Sequence, residues 1–126
     1  MFRITKEVSR IEITLEAKKL GEDYLLTLTG GKEHAGAVAV GLFDEKSGRA
    51  SSSVLTLPGH REEQLALDSA RRVSKATEKT SVVVVGIHVD NISLEEIKEI
   101  VSTAEEMVGN FIAYCEESDL TARRNE

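Results

Sequence analysis

Residues Ser81 to Ser93, SVVVVGIHVDNIS, constrain the fold of this chain more than any other stretch. An exposed strand alternates apolar with polar residues, so four consecutive valines read as a strand buried on both faces. Gly86, His88, Asp90 and Asn91 follow where that strand leaves the sheet. Ser93 and Glu96 then have the spacing of a capping box that opens a helix. Ligands of α/β sheets gather at strand ends, so a buried strand that carries a His and an Asp to a helix start is where a small-molecule site is expected.

The segments around it supply a sheet and two helices. Between Glu7 and Lys18 the residues Ile11, Ile13, Leu15 and Ala17 fall at every second position, which predicts a strand with one wet face. Gly21 to Asp23 turns the chain into a second strand, Tyr24 to Thr29, which stops at Gly30-Gly31, so the two form an antiparallel hairpin. A third strand, Ala35 to Phe43, is apolar at both parities and rich in small residues, which places it inside the sheet under something closely packed. A fourth, Arg49 to Leu57, ends at the only proline. Pro58-Gly59-His60 starts a helix reaching about Glu78, with Leu65, Ala66, Ala70, Val73 and Ala76 toward the sheet. A second helix, Leu94 to about Cys115, carries an unbroken apolar stripe.

The expected fold is α+β: a single, mostly antiparallel or mixed sheet of about five strands, in the order β-β-β-β-α-β-α, with two helices packed on one face. A length of 126 residues fits one domain, placed at 1–115, and the polar, aperiodic 116–126 is expected to be a flexible tail. Helices on one face leave the other to be covered, so a homo-oligomer is expected.

Composition narrows the function classes. The formal net charge is -6, and the 16 Lys and Arg are scattered rather than gathered on one element, so nucleic acid is not an expected partner. One cysteine excludes an internal disulfide. The first ten residues, MFRITKEVSR, lack the apolar run of a signal peptide or membrane span, and the expectation is a cytoplasmic protein with no membrane partner.

All three histidines stand in special contexts: His34 in GGKEHAG, His60 in LPGHREE and His88 in GIHVDN. Gly30, Gly31 and Gly36 around His34 make a loop whose backbone can approach a ligand, although it lacks the Lys-Ser/Thr ending of a nucleotide-triphosphate loop. A helix start at Gly59-His60 offers free N–H groups to a phosphate or carboxylate, with Arg61 adding charge. His88 and Asp90 share a face if the strand continues to 90, and such a pair suits proton relay, a metal or a plain hydrogen bond. A metal is disfavoured because no cysteine cluster or helical histidine pair completes a ligand set. The bland reading is that each histidine caps a turn, that Asp90 or Asn91 forms an Asx turn, and that Glu62 and Glu63 complement a helix dipole. Cys115 falls on the apolar stripe and reads as core, and no Ser-His-Asp order is visible.

With GGKEHAGAVAVG, LPGHREE and GIHVDNIS together, the chain resembles the small LpdD-like family, accessory D proteins of hydroxyarylic acid decarboxylases described as prenylated-flavin chaperones. Three segments of the family pattern, Gly-Gly…His-x-Gly-Ala-Val-Ala, Pro-Gly-His-x-Glu and Gly-Ile-His-x-Asp, map onto Gly30, Gly31, His34, Gly36 and Ala37; Pro58, Gly59, His60 and Glu62; and Gly86, Ile87, His88 and Asp90. The resemblance implies a protein that binds or hands over prenylated FMN, or FMN, to a UbiD-type decarboxylase without turning over substrate itself. The implied cofactor-binding residues are Gly30, Gly31, His34, Gly36, Gly59, His60, Arg61, Glu62, His88, Asp90 and Asn91. Few aromatic residues are present to stack on a ring, only Phe2, Phe43, Phe111, Tyr24 and Tyr114, which favours transient carriage. Two other readings stand beside it. One is a small enzyme with His88 and Asp90 as an oriented base and His34 or His60 as the acid; the other is a structural subunit whose histidines lie apart.

Overall fold

A computed structural model of the chain describes residues 1–57 and 62–124. Its elements are β1 (Phe2–Val8), β2 (Ile11–Leu20), β3 (Asp23–Gly31), β4 (Ala37–Asp44), β5 (Arg49–Thr56), α1 (Glu63–Thr77), β6 (Ser81–His88) and α2 (Leu94–Arg124). Six strands form one mixed sheet in the order β1-β2-β3-β6-β4-β5. Among the described residues only β3 and β6 run parallel, joined in register from Tyr24↔Ser81 to Gly31↔His88, and every other pairing is antiparallel. The fold is α+β, as the periodicities predict.

The valine strand is central because it has apolar residues for both neighbours. Val83 and Val85 point into the core beside Leu26 and Leu28 of β3 and Ala37 and Ala39 of β4, all of them buried. The core continues into Val73 of α1 and Met107, Val108 and Phe111 of α2, so both helices lie on this one face. The small side chains of β4 serve α1: a Cβ at Gly41 would overlap the Ala70 carbonyl and the Ser74 hydroxyl. At the other end of the sheet an aromatic cluster forms, with Phe111 5.3 Å from Phe2 and 5.6 Å from Tyr24 between ring centres. Cys115 is buried beside it, and burial pushes its thiol up, as expected of a core residue.

Four details differ from the sequence expectations. A sixth strand, β1, precedes the predicted set, with Phe2, Ile4 and Val8 at alternate positions and a tight turn at Ser9-Arg10 in which Ser9 has φ 57°. No Gly, Asn or Pro marks that turn, which is why the pattern did not announce it. The valine strand is buried on one face only, since Val82 and Val84 on the other are half-buried. Helix α1 is described from Glu63, later than the Pro58-Gly59-His60 start. Helix α2 runs past Cys115 to Arg124, because 116–124 holds no Gly or Pro and needs no apolar stripe to remain helical in solvent.

Two serines dock α1 on the sheet. The Ser81 hydroxyl donates to the Ala70 carbonyl at 2.9 Å, so its one proton is used, and the Ser74 hydroxyl must donate to Ser81 Oγ, also at 2.9 Å. Both serines are fully buried. Ser81→Ala is expected to lower stability by about 1–3 kcal/mol, read from chemical denaturation, because it strands a buried hydroxyl.

Candidate functional site

The ends of β3 and β6 bring the predicted residues together. Parallel pairing closes with Gly31 opposite His88, and the Lys32 N–H donates to the His88 carbonyl at 3.0 Å. Gly31 has φ 61°, a conformation that L side chains rarely adopt, and a Cβ there would overlap the same carbonyl. The loop then folds back over β6. The Gly36 N–H donates to Val85, and a Cβ at Gly86 would overlap the His34 carbonyl. Glycine at 86 therefore lets the loop bearing His34 lie directly on the strand bearing His88.

The side chains form a row. Glu62 packs its carboxylate against Gly36 and sets Oε1 3.2 Å from His34 Nε2. His34 Nδ1 lies 3.0 Å from the Lys32 carbonyl. A carbonyl only accepts, so Nδ1 carries a proton, and the Nε2–Glu62 contact needs another, held by the ring or by the carboxyl. The His34 and His88 rings meet edge to face, 6.2 Å apart. His88 Nε2 in turn lies 3.0 Å from Asp90 Oδ1. A carboxylate acceptor there assigns the proton to Nε2, which leaves Nδ1 of a neutral His88 as an acceptor. Exposure grades along the row, from 13% for the Glu62 side chain and 23% for His34 to 46% for His88 and 79% for Asp90. The site is an open ledge, anchored at one end and wet at the other.

Strand β6 ends at His88, so Asp90 reaches its histidine through a turn rather than along a strand. Asn91, at φ 53°, makes that turn. Arg10, which the sequence did not single out, holds it: Nη2 donates to the Asp90 carbonyl at 2.8 Å, while Nε pairs with Glu96 at 2.8 Å. Glu96 also closes the capping box with Ser93, Ser93 N to Oε1 and Glu96 N to Ser93 Oγ, both 3.1 Å. Nothing local marks Arg10, because its partners come from the far end of the sequence. Glu62 and Glu63 need no helix dipole to explain them, since Glu62 turns to His34 and Glu63 accepts from Thr56 Oγ1 at 3.0 Å. Gly30, Gly31, His34, Gly36, Glu62, His88, Asp90 and Asn91 thus gather at one end of the sheet, whereas Gly59, His60 and Arg61 lie outside the described residues. A concavity of about 440 Å³ lies elsewhere, beside Arg3, Glu16, Leu25 and Thr27. It is a shallow hollow between strands, and His34, Glu62, His88 and Asp90 are not in it. No group of three or more His, Cys, Asp and Glu among the described residues has the geometry to hold a metal ion, and no helix is long and apolar enough to cross a membrane.

The fold and this ledge define a small mixed-sheet protein with a histidine–carboxylate row at the ends of the parallel pair β3 and β6. The model of the prenylated flavin chaperone LpdD-like domain matches residues 7–116, and the chain belongs to that family. Among solved structures, a chain in the crystal structure of a novel chaperone complex for yeast 20S proteasome assembly matches with a TM-score of 0.52 at 8% identity, over 90% of this chain and 97% of that one. At that identity the likeness concerns the fold alone. No curated protein gives a significant match.

Two outcomes test this geometry. Gly86→Ala is expected to displace the 32–36 loop, seen as loss of the His34–His88 contact in histidine side-chain NMR spectra. Glu96 is held down to about 2, against an ordinary 4.5, by the Arg10 and Ser9 hydrogen bonds and the Ser93 N–H. Its stabilisation is therefore complete above about pH 4.5 and lost as pH falls through about 2. Melting temperatures of wild type and Glu96→Gln should differ by a constant amount above pH 4.5 and converge toward pH 2.

Proposed function

We propose that this protein is a cofactor chaperone that binds prenylated FMN and hands it to a UbiD-type decarboxylase, with the histidine ledge as the binding site. Family membership supports the flavin, and the observation that carries the site is the meeting of His34, Glu62 and His88, one from each of the three family segments. The residues fit the polar edge of an isoalloxazine. His88 offers an acceptor at Nδ1, and Gly31 and Gly86 let the loop that carries His34 close onto the strand beside it. Arg10, which reaches the row at the Asp90 carbonyl, is engaged there and with Glu96, and the phosphate is assigned to Arg61 and the 58–61 segment on sequence grounds. The described aromatic cluster surrounds Phe111 at the opposite end of the sheet, so the ring is held by edge contacts rather than stacking. That suits a carrier, which must release what it binds.

The enzyme reading draws on the His88–Asp90 bond, an oriented base in form. Exposure of 46% and 79% leaves the pair in water, whereas acid–base catalysis is helped by a site that excludes it.

Titration with prenylated FMN and with FMN, followed by flavin absorbance, tests the proposal. Binding of the prenylated form with Kd raised about 10-fold or more by His88→Ala and by Glu62→Gln supports it. No binding by the wild type at high micromolar flavin would overturn it, as would unchanged affinity in both variants.

A further inference from the structure

The tip of the β1–β2 hairpin reaches the ledge from the far end of the sequence. We propose that Arg10 is a positioning residue for ligand binding there: it fixes His88 in the Nε2–H form, with Nδ1 left to accept, without touching the ligand itself. Arg10 is bound on two sides. Nε donates to Glu96 Oε2 at 2.8 Å and Nη2 lies 3.3 Å from Oε1. Nη2 also donates to the Asp90 carbonyl at 2.8 Å and reaches the Asn91 carbonyl at 3.4 Å. Glu96 is held in turn by the Ser9 hydroxyl at 2.6 Å and by the Ser93 N–H at 3.1 Å. The guanidinium is therefore anchored on the first turn of α2 and clamps the backbone between β6 and that helix. Ser9 has φ 57°, a conformation glycine adopts more easily, but glycine would lack the hydroxyl that holds Glu96.

The His88–Asp90 contact needs this support. Both residues are exposed, and a hydrogen-bonded charge pair in water does little to keep its own geometry. Asp90 lies beyond the end of β6, and Asn91 after it, at φ 53°, occupies the left-handed region that is unfavourable for a residue with a side chain. A turn free to relax would carry the Asp90 carboxylate away from Nε2. A neutral imidazole without that acceptor shares its proton between both nitrogens, and the fixed acceptor at Nδ1 is lost. Arg10 removes this freedom by holding the Asp90 and Asn91 carbonyls. His34 does not depend on it, since its ring contacts the Lys32 carbonyl and Glu62. Charge alone is not the role. A guanidinium presents its donors in one rigid plane and serves Glu96 and the turn together, whereas a lysine ammonium is a single point on a flexible stem. The effect on the ligand rests on reading the ledge as the flavin site; the effect on His88 does not.

Arg10→Met and Arg10→Lys test the inference, with Arg3→Met as the control, an exposed arginine of the same hairpin whose partner is Glu16 at 3.0 Å. Nitrogen-15 spectra of the histidine side chains in the free protein, at a pH where the His88 ring is neutral, read the first step. In wild type and Arg3→Met the His88 proton must sit on Nε2. In Arg10→Met, and to a lesser degree in Arg10→Lys, it must be shared between the two nitrogens, with the His34 signals and the circular dichroism of wild type retained. Titration with prenylated FMN reads the second step: Kd rises about 5-fold or more in Arg10→Met, less in Arg10→Lys, and stays unchanged in Arg3→Met. In a His88→Ala background Arg10→Met must add nothing, because a residue that acts through His88 then has nothing left to position. An unchanged His88 tautomer in Arg10→Met overturns the inference. So do losses that add in the double variant, or an Arg10→Lys protein indistinguishable from wild type. Should Arg10→Met not fold, Arg10→Lys carries both readouts. Absence of flavin binding by the wild type is a failure of the flavin reading alone, and the His88 spectra then decide the inference.

Discussion

The parallel pairing of β3 with β6 is the constraint on which the rest depends. Parallel neighbours point their ends the same way, so the residues following each strand emerge side by side. Gly31 faces His88 for this reason, and the chain beyond Gly31 can fold back across β6 to place His34 over Gly86. An antiparallel arrangement would send His34 and His88 to opposite ends of the sheet. The antiparallel addition of β4 to the other side of β6 then brings Gly36, and through it Glu62, to the same end.

Much of this was legible in the sequence, for identifiable reasons. The alternation of Ile13, Leu15 and Ala17 and the stripe of α2 follow directly from burial on one face, the valine run marks a strand with neighbours on both sides, and the Ser93–Glu96 capping box depends on residues three apart. Histidines beside glycines pointed to the site because glycine is needed where two backbones touch, as at Gly86. What escaped was non-local or unmarked. The Ser9-Arg10 turn has no Gly, Asn or Pro, so β1 was missed. Arg10 has no partner within its own hairpin that would distinguish it from any surface arginine. The half-burial of Val82 and Val84 was also invisible, because four valines in a row do not say which face of the strand the helices cover.

The ledge joins two histidine–carboxylate contacts of different character. Glu62 is nearly enclosed and tied to His34, while Asp90 is in solvent and tied to His88, so the two imidazoles differ in role despite their proximity. His34, bonded at both ring nitrogens, is a fixed element of the loop. His88 keeps one nitrogen for other uses. Positioning comes from outside the row: the Arg10 guanidinium ties the β1–β2 turn to the Asp90 backbone, so the geometry of His88 is shared across three strands and a helix start.

The strand order has a consequence for how the chain reaches this state. β6 is the last strand in sequence yet sits between β3 and β4, which have no pairing with each other. Until it arrives, a nascent chain holds two hairpin-like pieces, β1-β2-β3 and β4-β5, each with an unpaired apolar edge. Those edges are templates for wrong partners, and only insertion of the valine strand removes both at once. The segment that delivers His88 is also the one that closes the sheet, so a molecule that displays the ledge has already joined its two halves.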